Sequence, residues 1–262
     1  FYAWPSRGAA RGYLADTATV QVSARHLVGF LEDIVRRSGA KQVNLIAHSM
    51  GSRALTEALE LYAARHTEAR NVFDQVIFAA PDVDADLFAL QARAMHRLAT
   101  RVTLYSSNAD VALSTSRALH GDAPRAGGGG QVPLIGPGFD TVDMTVLGGE
   151  VLQHTYFATD STALADILWL FWRNPAPSAR CGMVETDLAD GVYWVYRSEN
   201  CEEDLLLPAI TLARRFGAAA LERIEAMRAD PGTEADASEL DALRALLAEI
   251  LPGVRAEPVR RD

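Results

Sequence analysis

The stretch VNLIAHSMGSRAL, Val43 to Leu55, puts a serine where an apolar run that reads as a strand gives way to one that reads as a helix. Serine is a good helix cap, so Ser49 has an ordinary structural use at that position. The surrounding pattern, small-x-Ser-x-Gly, allows a chemical one. In a nucleophile elbow the strand enters, the serine takes a strained backbone conformation, and the helix leaves. Small residues two before and two after let backbone approach backbone, and here they are Ala47, where glycine is commoner, and Gly51. The N–H of Met50, at the start of the helix, is then the expected donor to an oxyanion.

A serine nucleophile needs a base, and the base needs an orienting carboxylate. With the nucleophile on a strand-to-helix turn, the chain order is serine, acid, histidine. Of the six histidines, His26, His66 and His96 fall within helical patterns. His48 adjoins Ser49 with its side chain directed away from it. It is not a candidate base but is kept as a candidate substrate contact, together with Trp4 and Pro5 of the opening FYAWP. His120 and His154 lie downstream in loops. His120 ends a helix before Gly121, a sufficient structural role, whereas His154 in VLQHTYF follows the last expected strand and is favoured as base. For the acid, Asp110 in SSNAD follows the strand RVTLYS, and Asp82 and Asp84 in APDVDAD follow QVIFAA. Asp84 and Asp86 suffice as cap and first-turn acids of the next helix. Asp110, which could cap VALSTSRAL but has no structural use of equal strength, is chosen as the acid, with Asp82 as its rival. The D-x-D-x-D run does not fit a calcium loop, because its sixth position is Leu87 and its twelfth Arg93. Gly127 to Gly130 lack the lysine and hydroxyl of a phosphate loop and read as a flexible loop near the site.

The elements that must hold these residues alternate. Phe1–Trp4 reads as a short strand, Thr17–Arg37 as a long helix, Val43–Ala47 as a strand and Met50–Arg65 as a helix. Strands at Gln75–Ala80 and Arg101–Ser106 flank a helix over Asp84–Ala99, and a short helix covers Ala112–Leu119. Thr141–Val146 reads as the last core strand, with a helix over Ser161–Trp172. Near-continuous apolar strands separated by helices predict an α/β protein whose mostly parallel sheet carries helices on both faces.

From Asn174 the texture changes. Pro175, Pro177 and Ser178 read as a linker, Gly182–Ser198 as a hairpin turning at Asp190-Gly191, and Asp204–Ala229 and Ala235–Ile250 as two amphipathic helices. The expected division is therefore 1–174, a catalytic domain, and 175–262, an accessory region whose helices could pack, form a lid or make a homodimer surface. Cys181 and Cys201 bracket the hairpin closely enough for a disulfide, which would favour export over the cytoplasm.

The 262 residues carry a net charge of −9, with Lys41 the only lysine. That argues against nucleic acid, which wants a basic face. The best candidate for a membrane span, Ala163–Trp172, contains Asp166 and is far short of the ~20 residues required, so it reads as a buried helix. The chain opens on Phe1 in what reads as a strand under way, so an N-terminal part is expected to be missing.

FYAWPSRG, LIAHSMG, AAPDVDAD, RVTLYSSNADVAL and QHTYF together resemble the bacterial α/β-hydrolases of the domain-of-unknown-function group 900, over roughly residues 1 to 172. The resemblance implies the three-layer α/β-hydrolase fold with Ser49 as nucleophile, Asp110 as acid and His154 as base, and needs no cofactor or metal. It also implies an upstream strand and a His-Gly loop lending the second oxyanion donor, which are expected to belong to the missing N-terminal part. The expected activity is hydrolysis of a small carboxylic ester through an acyl-enzyme. Amidase, acyltransferase and non-catalytic binding module are the alternatives.

Overall fold

The computed structural model describes residues 2–8, 10–128, 132–147, 161–201, 204–229 and 236–253. Among the described residues six strands form one sheet: β1 (Leu45–His48), β2 (Phe73–Ala79), β3 (Ala99–Ser106), β4 (Asp140–Asp143), β5 (Met183–Leu188) and β6 (Gly191–Tyr196). Their spatial order is β1-β2-β3-β4-β6-β5. All neighbours are parallel except the β5–β6 hairpin. Helices α1 (Tyr13–Arg37), α2 (Gly51–Arg65), α3 (Ala85–Leu98), α4 (Val111–Leu119) and α5 (Ser161–Arg173) accompany them.

Strand alternation sorts the core into layers. Val76, Phe78, Val102 and Leu104 pack with Val20, Leu27, Leu31, Leu55, Leu59, Phe88 and Met95 of α1, α2 and α3. The intervening residue Tyr105 turns the other way, and its hydroxyl donates to Asp166 of α5 at 2.5 Å. Helices thus cover both faces, as parallel sheets require.

That second face holds a buried ion pair. Arg180 donates from Nε to Asp166 Oδ1 at 2.8 Å and from Nη2 to the Tyr105 hydroxyl at 3.0 Å, and its Nη2 also bonds Asp166 Oδ2. The side chains are 0% and 6% exposed. Removing one partner strands the other charge in the interior, which typically costs about 3–5 kcal/mol. Asp166→Ala is therefore expected to lower the thermal midpoint by many degrees; a midpoint within one degree of wild type, followed by circular dichroism, would refute this.

The sheet departs from the sequence expectation at three points. Residues 2–8 are irregular rather than a strand; the Tyr2 hydroxyl donates to Ser23 O at 2.9 Å and its ring meets Phe30, so the segment packs on α1. The strand near residue 141 is short and is not the last, because β6 pairs with it in parallel (Val142 with Trp194, Asp143 with Val195). The hairpin read as part of the accessory region therefore extends the main sheet, and the first compact unit runs to Asn200 instead of ending at 174. Its Val195 and Tyr196 are buried, which a local reading of the hairpin could not reveal. Cys181 and Cys201 are disulfide-bonded.

Among its described residues the second unit, from Cys201, has three helices where two were expected: α6 (Leu206–Phe216), α7 (Ala219–Ala229) and α8 (Ala237–Ile250). Gly217 ends α6 with φ 54°, a left-handed conformation that suits glycine at a helix terminus. Ala209, Ala213, Ala220, Ile224, Leu240, Leu243 and Leu247 form its core. Among the described residues no helix is long and apolar enough to cross a membrane.

Candidate active site

Register brings the carboxyl ends of four strands to one edge. His48 lies opposite Ala79, Ala79 opposite Tyr105, and Ser106 opposite Asp143. The ladder continues past each end, with Ser49 N–H donating to Ala79 O (3.1 Å), Ala80 N–H to Tyr105 O (3.0 Å) and Met144 N–H to Ser106 O (2.8 Å). Ligands in open α/β sheets bind outside such carboxyl ends.

Ser49 sits there with φ 52°. A left-handed backbone is uncommon for a residue with a side chain and costs of order 1–3 kcal/mol. The serine's carbonyl accepts from Ser52 N–H at 3.0 Å and from Asp82 N–H at 3.1 Å. No described residue pairs with its Oγ. Met50 precedes the first helical residue of α2 with φ −60° and ψ −27°, and no bond among the described residues engages its N–H. Ala47 is buried in the core, but a side chain on Gly51 would meet nothing within 4 Å. The crowding expected at that glycine is absent because Gly51 borders a cavity of about 610 Å³ along the outer edge of β1.

That cavity is also lined by His48 and Trp4, two of the three candidate substrate contacts, and by apolar residues of α1 and α2; Ser49 is not in its lining. Pro5 is exposed and outside it. Among the described residues β1 pairs with β2 alone, so Ile46 remains 46% exposed.

Asp110 lies four residues beyond β3, 4% exposed, and caps α4 by accepting from Leu113 N–H at 2.9 Å. The capping role open to it in the sequence is thus used. Beside it, Asn108 N–H donates to Thr145 Oγ1 at 2.9 Å, joining the loop after β3 to the turn after β4. His154 follows that turn in the chain and lies outside the described residues, as do Gly129 and Gly130. His120 caps the end of α4; its Nδ1 lies 2.8 Å from Ser116 O and its ring is edge-on to Tyr13. His26 and His96 are exposed on α1 and α3, and His66 is exposed just past the end of α2. Asp84 caps α3, accepting from Asp86 and Leu87 N–H at 3.1 Å.

Asp82, the rival acid, is built into a cluster that the sequence did not announce. Its carboxylate accepts from the Tyr13 hydroxyl, from Ser116 Oγ at 2.6 Å, from Arg53 Nη2 at 3.0 Å and from Arg125 Nη1 at 3.5 Å. Arg53 also donates from Nε to Asp82 O at 2.6 Å and from Nη2 to the Tyr13 hydroxyl at 2.8 Å. Burial pushes the Asp82 carboxyl up, but Arg53, Ser116, Tyr13 and Arg125 outweigh it and hold the group below the usual carboxylate range. A depressed folded-state pKa contributes stability above the unfolded value of about 3.9 and loses it as pH falls through the folded value. The thermal midpoint of wild type is therefore expected to fall more steeply below about pH 4 than that of Asp82→Asn; parallel profiles would contradict this.

The glycine run is partly structural. Gly127 and Gly128 are buried, not an open loop. A side chain on Gly127 would come within 2.6 Å of the Ala80–Pro81 backbone, and one on Gly128 within 2.6 Å of Ser107 O. Only glycine lets this strip sit between the ends of β2 and β3. The signals that could have revealed the cluster were Arg53, one helical turn after Ser49, and the unexplained Asp82.

Residues 1–169 match the family model described as alpha/beta hydrolase of unknown function (DUF900). The chain belongs to this α/β-hydrolase family. No curated protein and no solved structure matches it. In this DUF900 chain the family match and the parallel sheet with its strained serine agree on the fold. Among the described residues no group of His, Cys, Asp and Glu side chains is arranged to hold a metal.

Proposed function

We propose that the protein is a serine hydrolase that cleaves carboxylic esters. Ser49 Oγ attacks the acyl carbonyl while His154 takes its proton, and the Met50 N–H stabilises the oxyanion. His154 returns the proton to the departing alcohol, leaving an acyl group on Ser49. Water, deprotonated by the same histidine, then releases the acid. Asp110 holds the imidazole in the tautomer that presents a free nitrogen to Ser49. The observation that carries this reading is the left-handed Ser49 at the carboxyl edge of the sheet, a costly conformation held directly before the α2 N-terminus. Asp110 is preferred over Asp82 because the oxygens of Asp82 are committed to four donors.

The test is labelling of the full chain by a fluorophosphonate probe, which reacts with activated serines. Labelling of wild type that is lost in Ser49→Ala and in His154→Ala is expected. A folded wild type that takes no label would overturn the proposal and favour a binding module on the same fold.

A further inference from the structure

The Asp82 cluster touches the elbow in a way that packing alone does not demand. Two residues at neighbouring strand ends adopt left-handed backbones, Ser49 with φ 52° and Ala80 with φ 45°. They are stitched together from both sides: Ser49 N–H donates to Ala79 O, and Asp82 N–H donates to Ser49 O. The strained serine is thus held between the two ends of the turn Ala79–Asp82. The turn is fixed in its turn by the Asp82 side chain, which anchors to α1 through Tyr13, to α2 through Arg53, to α4 through Ser116 and to the following loop through Arg125. Its other surface is closed by Gly127, whose N–H donates to Pro81 O at 3.0 Å.

We infer that Asp82 is a positioning residue: its ionic cluster clamps the Ala79–Asp82 turn and so holds Ser49 in the left-handed conformation that the nucleophile requires. The strain at Ser49 persists only where surrounding structure over-determines it, and the two bonds that reach it from outside the elbow's own helix, Ser49 N–H to Ala79 O and Asp82 N–H to Ser49 O, both 3.1 Å, come from the two ends of this turn. Arg53 makes the coupling tighter, since it stands on the helix that Ser49 starts and grips both the carboxylate and the carbonyl of Asp82. The inference rests on Ser49 being the nucleophile, but the clamp itself is a geometric statement that can be read without any activity.

The experiment compares wild type with Asp82→Asn, Tyr13→Phe and Arg53→Lys on the full chain. It measures fluorophosphonate labelling kinetics, ester kinetics with pH profile, and amide hydrogen exchange over residues 49–53. A misplaced reacting group typically costs up to about 10²-fold. Asp82→Asn is therefore expected to lower kcat and the maximal labelling rate by roughly 10–100-fold, with KM and the acid limb of the pH profile unmoved. Exchange over 49–53 is expected to quicken, while that of α8 in the second unit is unchanged. Tyr13→Phe, a smaller change that retains the ring, should show the same split more weakly and keeps the test alive if Asp82→Asn does not fold.

Wild-type rates and wild-type exchange in folded Asp82→Asn would sink the clamp and leave Ser49 as nucleophile. A shifted acid limb with a loss near 10⁴-fold would also sink it, because Asp82 would then be orienting the base directly. If wild type takes no label, the reading of Ser49 fails by itself, and the exchange over 49–53 still decides for or against the clamp.

Discussion

Ser49→Ala should abolish ester hydrolysis and fluorophosphonate labelling while leaving the thermal midpoint close to that of wild type. Removal of the nucleophile in a serine hydrolase lowers kcat by on the order of 10⁵–10⁶-fold. The unchanged stability follows from the backbone. Alanine carries the same Cβ penalty as serine at φ 52°, and no described residue bonds the hydroxyl that is lost. Ser49→Gly separates the two properties further. It should be equally inactive yet more stable by about 1 kcal/mol, because glycine adopts the left-handed region without steric cost. Stabilisation by a substitution that destroys activity is the sign of strain kept for function. A Ser49→Ala protein that retained activity would remove the serine from the reaction. A Ser49→Gly protein less stable than wild type would mean that the strain lies elsewhere.

The second large effect is expected at Asp110, where two roles meet on one carboxylate. Its Oδ1 caps α4 through Leu113 N–H, and its proposed role is to orient His154. Asparagine caps a helix about as well as aspartate, so Asp110→Asn should leave the fold and the thermal midpoint intact. It cannot hold the imidazole in the correct tautomer or stabilise its positive charge, and the expected loss in kcat is about 10⁴-fold. Asp110→Ala should lose the cap as well, at a typical cost of about 1 kcal/mol. The contrast between these two variants therefore divides charge from capping. Full activity in Asp110→Asn would strip Asp110 of its role. Asp82 could then take it only by surrendering donors that hold it on four sides.

Local patterning was enough for the elements nearest the chemistry. VNLIAHSMGSRAL yields a strand ending at His48 and a helix beginning at Gly51, with Ser49 between them in the conformation that an elbow needs. QVIFAA and RVTLYS are strands because their apolar residues can be buried on both faces only in a covered parallel sheet. The helix starts at Asp84 and Asp110 were readable for the same reason, since a cap is satisfied within three residues of its own position.

What the tertiary structure alone decided involves residues far apart in the chain. Glu185 and Trp194 could be paired from the hairpin turn, but nothing local shows that Trp194 lies beside Val142 and makes the hairpin part of the main sheet. FYAW has the composition of a strand, yet among the described residues no strand pairs with residues 2–4, and the Tyr2 hydroxyl bonds Ser23 O of α1 instead. Tyr13, Arg53, Ser116 and Arg125 bear no mutual spacing that marks them as a group. They meet at Asp82 because a charge buried to 2% exposure needs donors wherever the fold can bring them. Sequence periodicity reports which face of an element is apolar, a property of near neighbours. Strand order and the partners of a buried charge depend on the summed packing of the whole unit, and that is settled only when the chain is folded.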